Sequence, residues 1–164
     1  MKKRTAFIGA ILSLIPLGQP LIIKHLIFLA SSVMIISHSV EILADYFLYD
    51  YENAVQAFDK GNYDVAILQF QKMLKKYPNL PSKSKSRVYL FISRSHAFLN
   101  KHHEALVFIN KAIDLNPNSG VLYFDRATTK NYLRDKKGYC LDLQISKDLG
   151  YKGSKELFDK WGCS

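Results

Sequence analysis

A chain of 164 residues, 48% hydrophobic and 23% charged, has the make-up of a folded protein, which excludes an intrinsically disordered chain and fits one domain plus a leader. The formal net charge is +9, of which residues 1–44 carry +3 and the remaining 120 carry +6. A basic surface suits acidic partners, anionic lipid or nucleic acid, or is simply a solvated face, and charge alone does not choose among them.

Residues 1–44 read as a hydrophobic leader. Lys2, Lys3 and Arg4 precede ten apolar or small residues, Ala6 to Ile15, in which Ser13 is the one polar side chain. That is the grammar of an export signal. Pro16, Gly18, Gln19 and Pro20 interrupt it, Lys24 and His25 follow, and a second apolar run extends from Leu26 to Ile36. A membrane span needs roughly 20 residues, and Thr5 to Ile23 offers 19. Three fates stay open: cleavage after Ala44, retention as a transmembrane anchor, or a hairpin of the two apolar runs that leaves the rest of the chain in the cytoplasm. A buried hydrophobic extension is the bland alternative. With Lys2, Lys3 and Arg4 held inside, a single crossing places the remainder outside the cytoplasm. Membrane contact is expected through residues 5–36, and a leader without cysteine excludes a lipoprotein anchor.

Downstream, one spacing recurs. Ala66, Phe70, Met73 and Pro78 stand at relative offsets 0, 4, 7 and 12, and so do Ala105, Ile109, Ala112 and Pro117, 39 residues later. A worn copy follows after another 34 residues at Tyr139, Leu143, Ser146 and Tyr151. The first three offsets mark one helical stripe, the small residue lets a second helix approach, and the proline stops the helix. Ahead of each stripe lies another amphipathic segment ending in a polar turn, with Gly61 or Asn100 where a left-handed cap is expected. The unit is helix, turn, helix. The spacing of 39 reads as 34 plus a five-residue insertion, assigned to Pro81–Lys85, so the expected order is repeat one at 45–80, insertion at 81–85, repeat two at 86–119, degenerate repeat three at 120–151 and a capping helix at 152–164.

Gly61, Tyr63, Ala66, Phe70 and Pro78, with Tyr89, Ile92, Ser93, His96, Ala105, Ala112 and the exit LNPNS in copy two, resemble the tetratricopeptide repeat over roughly Phe47 to Gly150. The pattern is departed from at Asp50, Asn53, Tyr139 and Tyr151. The resemblance implies an all-α fold, a short α-solenoid closed by a C-terminal helix, in which about three repeats are needed for stability. It also implies non-catalytic protein binding on a concave surface lined by the first helix of each pair. The opening, Met1 to Ile23, resembles the leader of a group of cyanobacterial tetratricopeptide proteins. That implies a membrane or export role, with the repeats on the periplasmic or thylakoid-lumen side.

Helical angles sort the first helices into faces. Tyr89, Ile92, Ser93 and His96 form the stripe expected to be buried, and the opposite stripe is Arg87, Phe91, Arg94 and Phe98. Copy three offers Val121, Phe124, Thr128 and Tyr132 by the same count, and copy one Leu48, Glu52, Val55 and Asp59, an acidic rim. Aromatics interleaved with arginines suit a protein or peptide partner that is acidic and partly apolar, with Phe91 and Phe98 as anchors and Arg87 and Arg94 as charge partners. The alternative is that these rings pack on neighbouring helices. Some tetratricopeptide proteins hold a peptide carboxylate with lysines and asparagines here; copy one has neither, so that activity is not carried over.

The ending, from Lys137, resembles the closing segment of many bacterial tetratricopeptide proteins, where a cysteine in the last repeat is accompanied by another near the terminus. A helix over Gly138–Leu149 and another over Lys155–Trp161, capped by Ser154, would bring Cys140 and Cys163 to one end of a hairpin. A disulfide there agrees with an oxidising compartment; two buried thiols are the other option.

Catalytic signatures are missing: there is no phosphate loop, dinucleotide turn, zincin pair or serine elbow. His102 and His103 are adjacent, so on a helix they diverge, and their place at a turn suggests exposure; His96 reads as a packed core histidine. No cofactor or metal is expected, and an exported protein would not meet nucleic acid. The sequence therefore reads as a binding scaffold or adaptor at or beyond a membrane. The alternatives are a basic nucleic-acid-binding repeat protein and an assembly subunit of a membrane complex.

Overall fold

The recurring stripes are buried helical faces. In the computed structural model, which describes residues 45–160 and Cys163, Ala66, Phe70 and Met73 are buried on one helix, Ala105, Ile109 and Ala112 on a second, and Tyr139, Leu143 and Ser146 on a third. Residues 1–44, and with them every reading of the leader, lie outside the described residues.

Among the described residues there are seven helices and no strand: α1 over 45–59, α2 Tyr63–Lys76, α3 Ser82–Phe98, α4 His102–Leu115, α5 Gly120–Tyr132, α6 Lys136–Asp148 and α7 Lys152–Lys160. None of them is long and apolar enough to cross a membrane. α3 pairs with α4 and α5 with α6, α7 is laid on the last pair, and α1 packs on α2 through Ala54, Ala57, Ala66 and Phe70. This is the all-α solenoid that the repeat spacing implies.

Each tight turn has the same construction. Gly61, Asn100, Arg134 and Gly150 take positive φ angles of 79°, 60°, 61° and 82°. In each turn the next residue's N–H donates five positions back, Asn62 to Ala57, Lys101 to His96, Asp135 to Lys130 and Tyr151 to Ser146, at 2.9 to 3.0 Å. That is the Schellman ending, which satisfies carbonyls left over at a helix C-terminus. Gly61 and Asn100 were legible as such caps. Arg134 was not, since a bulky side chain strains the left-handed region.

The five extra residues are not a loop. Pro81 is the N-cap of α3, and residues 82–85 form its first turn, with Lys85 N–H donating to Pro81 O at 3.0 Å. The segment expected as an insertion therefore lengthens α3 to 17 residues, against 13 in α5. Proline suits the start of a helix, where no N–H is needed.

Small hydroxyls knit the pairs together. Ser86 Oγ donates to Ala112 O at 2.7 Å, joining α3 to α4. One repeat later the polarity reverses: Ser146 Oγ on α6 donates to Gly120 O on α5 at 2.6 Å. A side chain at Gly120 would meet Ser146 O at 2.9 Å, so the close approach needs glycine. Ser154 Oγ donates to Ser146 Oγ at 2.5 Å from within α7. Ser154 is thus a buried contact of the last helix; α7 begins two residues before it, so it is not the expected N-cap.

The core thins along the chain. Ala54, Phe70, Met73, Val88 and Ile92 anchor a large first cluster; Leu90, Ile109, Ile113 and Leu122 a second; Ala127, Tyr139 and Leu143 a third, against which Leu157, Phe158, Cys140 and Cys163 pack. Cys140 and Cys163 are joined by a disulfide, with Cα atoms 5.2 Å apart, so the smallest cluster carries a covalent tie. Repeat three also buries charge in its pair interface. The fully buried Asp142 accepts from Arg126 Nε and Nη2 at 2.8 and 2.7 Å and from Lys130 Nζ at 2.8 Å, and Arg126 Nη1 donates to Asn110 Oδ1. In repeat one Asp50 is a charged group set between α1 and α2. It accepts from Tyr77 Oη and Lys76 Nζ, both at 2.8 Å, and these bonds hold its carboxyl below the usual range.

Candidate functional site

The first helices of the pairs, α1, α3 and α5, border an open groove of about 420 Å³. It lies where four residues expected at a binding surface come together: Arg94 and Phe98 from α3, Thr128 and Tyr132 from α5. Phe98 and Tyr132 are 59% and 63% exposed, large for aromatic side chains, and each leans on another ring. Phe98 stacks on Tyr63 at 4.8 Å and meets Phe58 edge-on at 5.6 Å. Tyr132 stacks on His102 at 4.5 Å. Backed rings of this kind lose little rotamer freedom when they take up a ligand.

Between them runs an ion pair. Arg94 Nε donates to Asp125 Oδ2 at 2.7 Å, bridging α3 and α5. Burial pushes the Asp125 carboxyl above its ordinary value, and Arg94 opposes that shift. The arginine expected to receive a partner's charge is thus already matched within the chain.

Phe91 and Phe124 are not in the groove. Phe91 stacks on Phe70 at 5.3 Å and meets Phe58 and Tyr51 edge-on at 5.3 and 5.9 Å, so it belongs to the first core cluster. Phe124 lies 5.0 Å from Tyr151 and packs with the third cluster beneath α7. The reason is geometric: each inner helix touches the helices before and after it, so a stripe drawn on one helix alone mixes the groove with these neighbours. Arg87 is exposed and makes no ion pair among the described residues; it lies near the half-buried Tyr51, whose hydroxyl burial pushes up while Arg87 pulls it down. In copy one Leu48, Glu52 and Asp59 are exposed, while Val55 packs on the first cluster.

Phe58, Asp125 and His102 are among the groove residues that the sequence does not assign to a binding surface. Asp125, Thr128 and Tyr132 share a stripe at offsets 0, 3 and 7, which was the available signal. His102 is half-buried rather than exposed, and its Nδ1 has no hydrogen-bond partner among the described residues. His96 stacks on Phe108 at 5.2 Å with both ring nitrogens buried and unpartnered, and burial lowers its pKa.

A smaller hollow of about 280 Å³ lies on the first pair, beside Asp50, Gln69 and Lys76. Among the described residues no cluster of His, Cys, Asp or Glu could hold a metal ion.

Comparison with family models and with curated proteins gives no match. Comparison with solved structures does. The first tetratricopeptide domain of Spaghetti (RPAP3), bound to the HSP90 peptide SRMEEVD, is similar with a TM-score of 0.61 and 21% identity, over 70% of this chain and 88% of that one. The TPR2B domain of yeast Sti1 in its pHsp70 complex gives 0.61 and 20%, over 70% and 94%. The Arabidopsis OM64 domain gives 0.61 and 15%, over 71% and 93%. With its paired helices, Schellman turns and inner groove, the chain has the fold of tetratricopeptide-repeat domains.

Proposed function

We propose that the chain is a non-catalytic protein-binding scaffold that holds an extended partner segment in the groove between α1, α3 and α5. The observation that carries this is the pair of exposed rings, Phe98 and Tyr132, held ready by Tyr63 and His102. Solved domains of the same fold include one bound to an HSP90 peptide. The partner offers apolar side chains to these two rings, and its acidic groups meet Arg87 rather than Arg94, whose charge Asp125 already balances.

Selection from a displayed peptide library, followed by calorimetry, tests this. Phe98→Ala and Tyr132→Ala are each expected to weaken a selected peptide by about tenfold or more while helicity is unchanged. Selected peptides that bind both variants as well as the parent would remove the groove as the binding surface.

We further place the repeats on the non-cytoplasmic side of a membrane. Support comes from the basic head Lys2–Arg4 ahead of an apolar run and from the Cys140–Cys163 bridge, since disulfides persist in oxidising compartments. Intact-mass measurement on native protein decides it: an oxidised chain beginning at Asp45 fits export, whereas a reduced full-length chain puts the repeats in the cytoplasm.

A further inference from the structure

From Val65 to His103 the chain contains no Asp or Glu but eight Lys and Arg. Folding gathers four of these charges, Lys75, Lys76, Lys83 and Lys85, while Arg94 lines the groove and Lys101 pairs with Asp64 at the Asn100 turn. The C-terminal turn of α2 and the first turn of α3 meet at one edge of the solenoid, where Lys75 and Lys83 are exposed and make no ion pair among the described residues. Lys76 is held by Asp50 and lies 5.8 Å over the Tyr46 ring, and Lys85 donates to Pro78 O at 3.0 Å, so both ammonium groups are pinned to the same edge. The start of α1 is there too, presenting Tyr46 and Tyr49 at 59% and 64% exposure. Asp45 and Asp50 are the acids at this edge, and Asp50 is taken up by Lys76; at the opposite edge, with the turns at Gly61, Asn100 and Arg134, Asp59, Asp64, Glu104 and Asp135 stand among the lysines.

We infer that this basic, tyrosine-bearing edge is a docking surface for an anionic phospholipid bilayer. Lysines next to exposed tyrosines suit the headgroup region, where the ammonium groups meet phosphates and the amphipathic rings sit at the boundary between headgroup and chain. A rim at helix ends presents its charges together to a flat surface, and the edge contains the residue, Asp45, that directly follows the apolar leader in the sequence. The surface is separate from the groove, so a tethered repeat unit would keep its groove available while it lies against the membrane.

The test is vesicle co-sedimentation of the full chain, with phosphatidylcholine vesicles and with vesicles containing phosphatidylglycerol. The leader is identical in all variants, so only differences between them are read. Each lysine near an anionic bilayer contributes roughly a fivefold gain, so Lys75→Glu with Lys83→Glu is expected to reduce the preference for anionic vesicles by about tenfold or more. Lys136→Glu with Lys137→Glu, the same change of charge at the opposite edge, is expected to leave it within about twofold. Tyr46→Ser with Tyr49→Ser should weaken binding to anionic vesicles without changing its salt dependence. Equal losses from the two edges would show a bulk charge effect and overturn the proposal, as would an undiminished preference in the Lys75/Lys83 variant. A single-stranded oligonucleotide that displaces the vesicles through the same lysines would make the edge a nucleic-acid surface and likewise overturn it.

Discussion

Arg94 and Asp125 meet across the groove at 2.7 Å, with the aspartate side chain the more buried of the two at 18% exposure against 34%. The pair ties α3 to α5 and removes the one positive charge the groove would otherwise offer. The two partners are therefore unequal under mutation. Arg94→Ala leaves a buried carboxylate without a counterion and is expected to cost about 2–3 kcal/mol by chemical denaturation. Asp125→Asn leaves a more exposed guanidinium and should change stability by less than about 1 kcal/mol, while strengthening binding of acidic peptides several-fold. Because burial raises the Asp125 pKa, the folded state holds this proton more tightly than the unfolded chain does. Its contribution to stability therefore falls as pH rises through the window above the ordinary carboxylate range, a dependence absent from Asp125→Asn.

Phe91 and Phe98, about two turns apart on one face of α3, separate core from site. Phe91→Ala removes a ring stacked on Phe70 and is expected to cost about 2–4 kcal/mol. Phe98→Ala, at an exposed ring, should cost about 1 kcal/mol or less yet weaken peptide binding by about tenfold or more. Urea titration and calorimetry on both variants make the comparison.

His96 is a pH-sensitive weak point. Its folded pKa is lowered by burial, so the unfolded chain binds the proton more readily. Stability should decline as pH drops below about 6.5, the ordinary histidine value, and level off below the lowered folded value. His96→Phe, which keeps a ring against Phe108, should flatten that part of the curve in denaturation midpoints taken across mildly acidic pH.

Arg134 holds a φ of 61° where the equivalent turn of repeat one has Gly61. Arg134→Gly relieves the left-handed strain and is expected to stabilise the protein by about 1 kcal/mol, seen as a higher melting temperature.

The bridge between Cys140 and Cys163 spans 23 residues and closes over the smallest core cluster. Reduction, or Cys140→Ser, should cost about 3 kcal/mol. Hydrogen exchange should then accelerate first in α6 and α7, with α1 to α4 protected as before, because each repeat is buried mainly by its neighbours.

Much of the architecture was legible because it depends on spacing along one helix. Ala66, Ala105 and their partners at offsets 4 and 7 had to share a face, and Gly61 and Asn100 had to end the helices before them. The extra residues Pro81–Lys85 were countable but their shape was not: proline and lysines are compatible with a loop and with a first helical turn, and the helix won because it continues α3.

By itself the sequence determined the helical period, the repeat unit and the turns at Gly61 and Asn100, and it put Arg94, Phe98, Thr128 and Tyr132 on the same stripes as Arg87, Phe91 and Phe124 without telling the groove from the core. Tertiary structure alone decided which aromatics remain available and which charges are already matched. Those outcomes depend on neighbours 20 to 40 positions away: Phe91 is claimed by Phe70, and Arg94 by Asp125. Helical periodicity sets the direction in which a side chain points. Only the packing of one repeat on the next establishes whether it meets water or another side chain.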